Sequence, residues 1–104
     1  MYKETAMVRH IILWKIDETS GNVESIKKNA KENLEALNGK IEGLKSLRVL
    51  TERLGSSSAD MMLDSEFDSR EALEAYQTHP LHVTAADSYV RPFAKVRLSF
   101  DFEA

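Results

Sequence analysis

Val8-Arg9-His10-Ile11-Ile12-Leu13-Trp14-Lys15-Ile16 alternates without a break. Val8, His10, Ile12, Trp14 and Ile16 fall on one face, while Arg9, Ile11, Leu13 and Lys15 fall on the other. Period two with β-branched and aromatic residues predicts a strand, and everything downstream is read against that first strand. Asp17 to Asn22 then supplies turn and cap residues. From Val23 the period lengthens: Val23, Ile26, Ala30, Leu34, Leu37 and Ile41 recur at steps of three and four. That spacing predicts an amphipathic helix of about four turns, ended by Gly39 and Gly43.

A weaker strand is expected over Leu44 to Arg53, with Leu47 and Val49 opposite Ser46, Arg48 and Leu50. Leu54-Gly55-Ser56-Ser57-Ser58 reads as a loop. Met61, Leu63, Ser65 and Phe67 alternate with Asp60, Met62, Asp64 and Glu66, a third strand. Asp68-Ser69-Arg70-Glu71 reads as a capping box with Asp68 as the cap, opening a short helix whose inner face is Ala72, Leu73 and Tyr76. Pro80 has no N–H and disfavours helical geometry at His79, so the helix breaks there. Pro80 also suits the first turn of a new helix, which would bury Val83, Ala86, Tyr89 and Val90 and close at Arg91-Pro92. Val96, Leu98, Phe100 and Phe102 alternate with Lys95, Arg97, Ser99 and Asp101 as a final strand. The order β-α-β-β-α-β predicts an α+β, ferredoxin-like subunit with a four-stranded antiparallel sheet.

At 104 residues the chain has room for one core. Residues 1–6 lack a pattern and are expected to form a disordered extension, leaving residues 7–104 as the domain. Fourteen basic against seventeen acidic residues give a formal charge of −3, and no stretch gathers Lys and Arg with aromatics, which argues against nucleic acid as a partner. The absence of cysteine removes disulfides, thiolate nucleophiles and Cys-based zinc sites. Ile11-Ile12-Leu13-Trp14, the longest apolar run near the N-terminus, is too short for a membrane span, so no membrane partner is expected and the protein is read as cytoplasmic.

With helices on one face of the sheet, the other face is expected to carry Ile11, Leu13, Leu50 and Met62 among Arg9, Lys15, Arg48, Asp64, Lys95, Arg97 and Asp101. Such a surface is too apolar to leave in water and too charged for a private core. Pairing it with the same face of a second copy shelters the aliphatics, so a homodimer through the sheet faces is expected.

Three stretches resemble the stress-responsive α/β barrel domain family, Dabb, and together they span about Met7 to Glu103. Val8 to Lys15 is similar to its valine-x-histidine-hydrophobic first strand, and Tyr76-Gln77-Thr78-His79-Pro80-Leu81-His82 to its tyrosine…His-Pro-x-His segment. Arg97 to Phe102 resembles its closing strand, with Phe102 where that strand typically ends in tyrosine. The resemblance implies a dimeric α+β barrel with the helices outside. It leaves the activity open, since one plant member cyclises a linear polyketide and most have no assigned reaction. The matching tyrosine and histidine of that cyclase imply Tyr76 and His82 as a catalytic pair, with His10 lining the pocket.

The residues themselves allow this chemistry. A neutral imidazole at His82 can take a proton from a carbon beside a carbonyl, and the Tyr76 phenol can donate to the enolate oxygen. A plainer reading makes Tyr76 a helix anchor, His79 a helix cap and His82 a solvated helix residue. The leading expectation is a dimer whose protomers bind a small apolar, aromatic or keto compound between helices and sheet, with His10, Tyr76, His79 and His82 as ligand-binding residues. The alternatives are a cofactor-independent cyclase or isomerase using His82 and Tyr76, and a purely structural stress-associated dimer. A monooxygenase of the same architecture is a distant third, because Trp14 reads as core filling. No cofactor is expected, and no metal either, since Pro80 interrupts the His79-x-x-His82 spacing and no further His or Cys follows.

Overall fold

The computed structural model describes residues 6–104. The expected extension, residues 1–6, lies outside the described residues except for Ala6. The elements are β1 (Val8–Ile16), a single 3-10 turn (Glu18–Ser20), α1 (Val23–Glu35), β2 (Leu44–Leu50), β3 (Met61–Phe67), α2 (Arg70–Thr78), α3 (Pro80–Tyr89) and β4 (Ala94–Glu103). The four strands form one antiparallel sheet in the order β2-β3-β1-β4. This is the ferredoxin-like α+β arrangement, with its second helix split in two.

β1 keeps the alternation of its sequence: Val8, His10, Ile12, Trp14 and Ile16 are all buried beneath the helices. β3 does the same with Met61, Leu63, Ser65 and Phe67. Ile26, Ala30 and Leu34 of α1 close the core from above, joined by Leu73 and Tyr76 of α2.

α1 stops at Glu35, earlier than the apolar spacing suggests. Leu37 and Ile41 are still buried, but from turns rather than from helix. The cause is a set of side-chain bonds to β2, an edge strand whose outer backbone groups need partners. The Val49 N–H donates to the Glu35 carboxylate at 2.9 Å. Asn38 accepts from the Leu47 N–H at 2.9 Å and donates to the Leu47 carbonyl at 2.8 Å, so one amide copies a strand partner. β2 itself ends at Leu50 rather than Arg53. The α2 cap is Ser69, one residue after the expected Asp68; its hydroxyl accepts from the Ala72 N–H at 3.1 Å. In α3 the fully buried residues are Ala85 and Ala86, with Val90 just beyond, while Val83 and Tyr89 are half-buried.

The largest correction concerns β4. Residues directly opposite in an antiparallel pair share a face. Val8 pairs with Glu103, His10 with Asp101, Ile12 with Ser99 and Trp14 with Arg97. Arg97 and Asp101 therefore lie on the helix side, against expectation, and the apolar residues of β4 lie on the outer side. There Phe102, Phe100, Leu98 and Val96 stand beside Arg9, Ile11, Leu13 and Lys15. Leu98 is 63% and Phe100 68% exposed, which is unusual for large apolar side chains on a strand centre. β4 packs chiefly on β1 at the sheet edge, beyond the cover of the helices, so the core does not claim its apolar side. Lys95 sits at the register shift between the two strands. The other outer-face expectations hold: Asp64 lies there, bonded by Arg9 and Arg48. Burial pushes the Asp64 carboxyl up, but the hydrogen bonds from these two guanidiniums outweigh it and hold the group below the ordinary range.

Candidate functional site

β1, α2, α3 and β4 enclose one end of the sheet around a cavity of about 580 Å³. Its floor is β1, which aims His10, Ile12 and Trp14 upward because alternate residues share a face. Its roof is the α2–α3 joint. At that joint His79 is extended (φ −64°, ψ 131°), as the residue before a proline prefers. Its backbone N–H bonds the Tyr76 carbonyl at 3.1 Å, and its Nδ1 accepts from the Leu81 N–H at 3.1 Å. His79 thus closes α2 and caps α3, and it is not among the residues lining the cavity. Its predicted place in the ligand site is not supported by this geometry.

The same joint turns the chain so that Tyr76, in the last turns of α2, meets His82, in the first turn of α3. Their rings stack with centroids 4.1 Å apart and planes 30° from parallel. Phe67 packs on Tyr76 at 4.9 Å, and His10 lies edge-on to Tyr76 at 6.4 Å. Three of the four expected site residues, His10, Tyr76 and His82, therefore line one cavity.

Each polar group has a defined state. The Tyr76 side chain is buried, and burial pushes its phenol above the ordinary value, with the Arg97 charge opposing. The hydroxyl therefore stays protonated as a donor. Among the described residues it has no hydrogen-bond partner, nor is it sealed from the surface. His82 Nδ1 lies 3.3 Å from the Gln77 carbonyl. A carbonyl only accepts, so Nδ1 carries the proton and Nε2 keeps its lone pair. His10 Nδ1 lies 2.5 Å from Asp101 Oδ1, which orients that ring.

Burial also lowers the His82 pKa; the Gln77 carbonyl opposes this, while the charges of Arg91, His10 and Arg97 add to it. A folded-state value below the unfolded one means the unfolded chain takes the proton first as pH falls. His82 thus contributes stability that is whole above the unfolded value of about 6.5 and is lost as pH drops from there through the folded value. An NMR titration of the His82 ring is expected to give a midpoint below 6.5, raised in R97Q. A midpoint at or above 6.5 in the wild-type protein would contradict the assigned environment.

Arg97 and Asp101 escaped the sequence reading because both were placed on the outer face. The signal available was their shared parity with Ser99, a wholly polar row opposite the His10 row. Trp14, expected as core filling, is buried and also forms part of the cavity floor. Among the described residues no group of three His, Cys, Asp or Glu side chains is placed to hold a metal ion. None of their helices is long and apolar enough to cross a membrane.

The sequence model of the stress responsive A/B barrel domain, Dabb, matches residues 8–104. The chain belongs to the Dabb family. Among solved structures, this Dabb protein is similar to a dimeric protein of unknown function with a ferredoxin-like fold from Bacteroides fragilis. The two are 28% identical over 98% of this chain and 100% of that one, with a TM-score of 0.87. A Dabb family protein from Mesorhizobium loti is 18% identical, covering 96% of this chain and 98% of its own, at a TM-score of 0.77. The hydroxynitrile lyase of Passiflora edulis is 13% identical over 95% and 94% of the two chains, at a TM-score of 0.78. These last two likenesses concern the fold alone. No curated protein matches the chain in sequence.

Proposed function

We propose that this Dabb protein is a homodimer, joined through its outer sheet faces, that binds a small organic molecule in the cavity of each protomer. The observation that carries the binding reading is the composition of the cavity wall. Trp14, Ile12, Ala86 and Val90 offer apolar surface, Tyr76, His82 and His10 bring polar groups together, and Arg97 stands beside Trp14. A hollow that pairs apolar wall with a few convergent polar groups suits a small molecule with both kinds of surface. A buried phenol with an unused donor supports a ligand carrying an acceptor oxygen, such as a ketone or a phenol. The dimer is supported by the apolar outer face and by the dimeric relative from Bacteroides fragilis.

The test is a thermal-shift screen of the purified protein against a panel of aromatic and keto metabolites. A specific binder raises apparent stability by mass action. The expected result is a concentration-dependent rise for a small set of compounds, reduced in Tyr76→Phe and His82→Ala. If no compound stabilises the protein, or both variants respond like the wild type, the binding reading fails and a purely structural dimer takes its place.

A second reading, a cofactor-independent cyclase or isomerase, is favoured by one specific feature: the Gln77 carbonyl leaves His82 Nε2 unprotonated, beside a protonated phenol. In that reading His82 removes a proton next to a carbonyl, and Tyr76 donates to the oxygen that gains charge. The two rings are stacked rather than hydrogen-bonded to each other, so neither polar group occupies the other. Turnover of a bound compound that His82→Ala abolishes while binding persists separates this reading from binding alone.

A further inference from the structure

The protein carries a formal charge of −3, yet no residue lining the cavity is an aspartate or glutamate. Two arginines and two histidines line it instead. The nearby acids are already engaged: Asp87 holds Arg91 at 2.5 Å, and Asp101 holds His10. Arg97 differs from Arg91. Among the described residues it has neither a carboxylate partner nor a hydrogen-bonded carbonyl, although β4 turns it to the cavity side, opposite Trp14. Its guanidinium keeps all its donors, in a planar fork that matches two oxygens of one group. Its charge also reaches the two stacked rings, opposing the upward push on Tyr76 and helping to lower His82.

Resting on the binding reading above, we infer that the cavity selects an organic anion, a carboxylate on an aromatic or alicyclic body. The carboxylate oxygens sit on Arg97, and the apolar body lies over Trp14 toward Ala86 and Val90. This orientation leaves a second oxygen of the ligand, a ketone or hydroxyl, for the Tyr76 donor. A charge-assisted fork on a carboxylate is stronger than a neutral contact and supplies direction as well as affinity. A neutral compound of the same shape forgoes that bond.

The experiment compares naphthalene-carboxylate with naphthamide, two bodies of one shape that differ in charge. Binding to the full chain is followed by calorimetry and by amide NMR shifts of residues around the cavity. The carboxylate is expected to bind roughly tenfold more tightly or better, the amount one charge-assisted bond contributes. The preference is expected to weaken as salt rises and to fall near one in Arg97→Gln, with Arg97→Lys intermediate because it keeps the charge and loses the fork. Arg97 is exposed, so both variants keep the fold, and circular dichroism checks this. Equal affinity of the two compounds, or a preference that survives in Arg97→Gln, overturns the inference. So does the failure of both to bind at millimolar concentration. Hits from the neutral members of the metabolite panel would then show that the cavity binds ligands without an anion preference, whereas no hits at all would bring down the binding reading as well.

Discussion

Phe100→Asp is expected to convert the protein into a folded 11.8 kDa monomer. Phe100 stands midway along the edge strand β4 on the outer face, 68% exposed in the single chain, beside Ile11 across the strand pair and with its ring 5.8 Å from that of Phe102. Leu98, Phe102, Val96, Leu13 and Leu50 extend the same surface. A two-fold interface presents every residue twice, so one substitution removes two buried aromatic contacts and inserts two carboxylates. Burying a phenylalanine side chain contributes about 1.5–3 kcal/mol. The pair therefore costs at least about 3 kcal/mol of dimer stability, more than a hundredfold in dissociation constant. Sedimentation should show the wild type at twice the chain mass and the variant at the chain mass. An unchanged circular dichroism spectrum should accompany it, because Phe100 lies outside the buried core. A variant that still sediments as a dimer would remove the outer sheet face as the interface. Leu98→Glu, on the same surface, gives an independent reading should Phe100→Asp misfold.

Gly43→Val is expected to be the most damaging single change to the protomer itself. Gly43 has φ +85°, a region that side chains with a branched Cβ enter only under strain. A Cβ built there would lie 2.6 Å from the Ala72 Cβ, well inside contact distance. The Gly43 carbonyl also accepts the Asp68 N–H at 2.9 Å, holding the loop against the start of α2. Backbone strain of about 1–3 kcal/mol and overpacking of similar size sum to roughly 2–6 kcal/mol, a large share of the about 5–15 kcal/mol a domain possesses. Thermal melting should fall by roughly 10 °C or more in a chain this short. Because α2 carries Tyr76, the variant should also lose ligand-induced stabilisation. Ala72→Gly added to Gly43→Ala tests the clash separately, since it removes the atom that the new Cβ meets while leaving the backbone strain. Melting of Gly43→Val within a few degrees of wild type would show that the loop and α2 part at little cost.

Much of this was legible from residue periodicity. The alternation from Val8 to Ile16 placed His10 under the helices, and Pro80 split the second helix where it does. The break at Pro80 lets the chain turn so that the Tyr76 and His82 rings stack. The errors share a physical origin. Alternation on β4 distinguishes an apolar row from a polar one but carries no label saying which is the core. In a chain that buries one sheet face against its own helices and offers the other to a partner, both faces can be apolar. Periodicity therefore leaves Arg97 and Asp101 on the outer face, whereas the register turns both to the helix side and Arg97 to the cavity. The apolar spacing carries α1 past its observed end for a related reason. Leu37 and Ile41 stay on the buried side through consecutive turns, while the bonds that end the helix, from Glu35 and Asn38 to β2, span too many residues for local pattern to show. The neighbours of His79 in sequence point to the site, whereas its Nδ1 accepts the Leu81 N–H and it does not line the cavity.

Binding in the cavity is decided by a crystal structure with the compound that most stabilises the protein in the screen. Electron density is expected between Trp14 and the Tyr76–His82 stack, with an acidic group turned to Arg97. Density for that compound on the outer sheet face, with the cavity filled only by solvent, would contradict it.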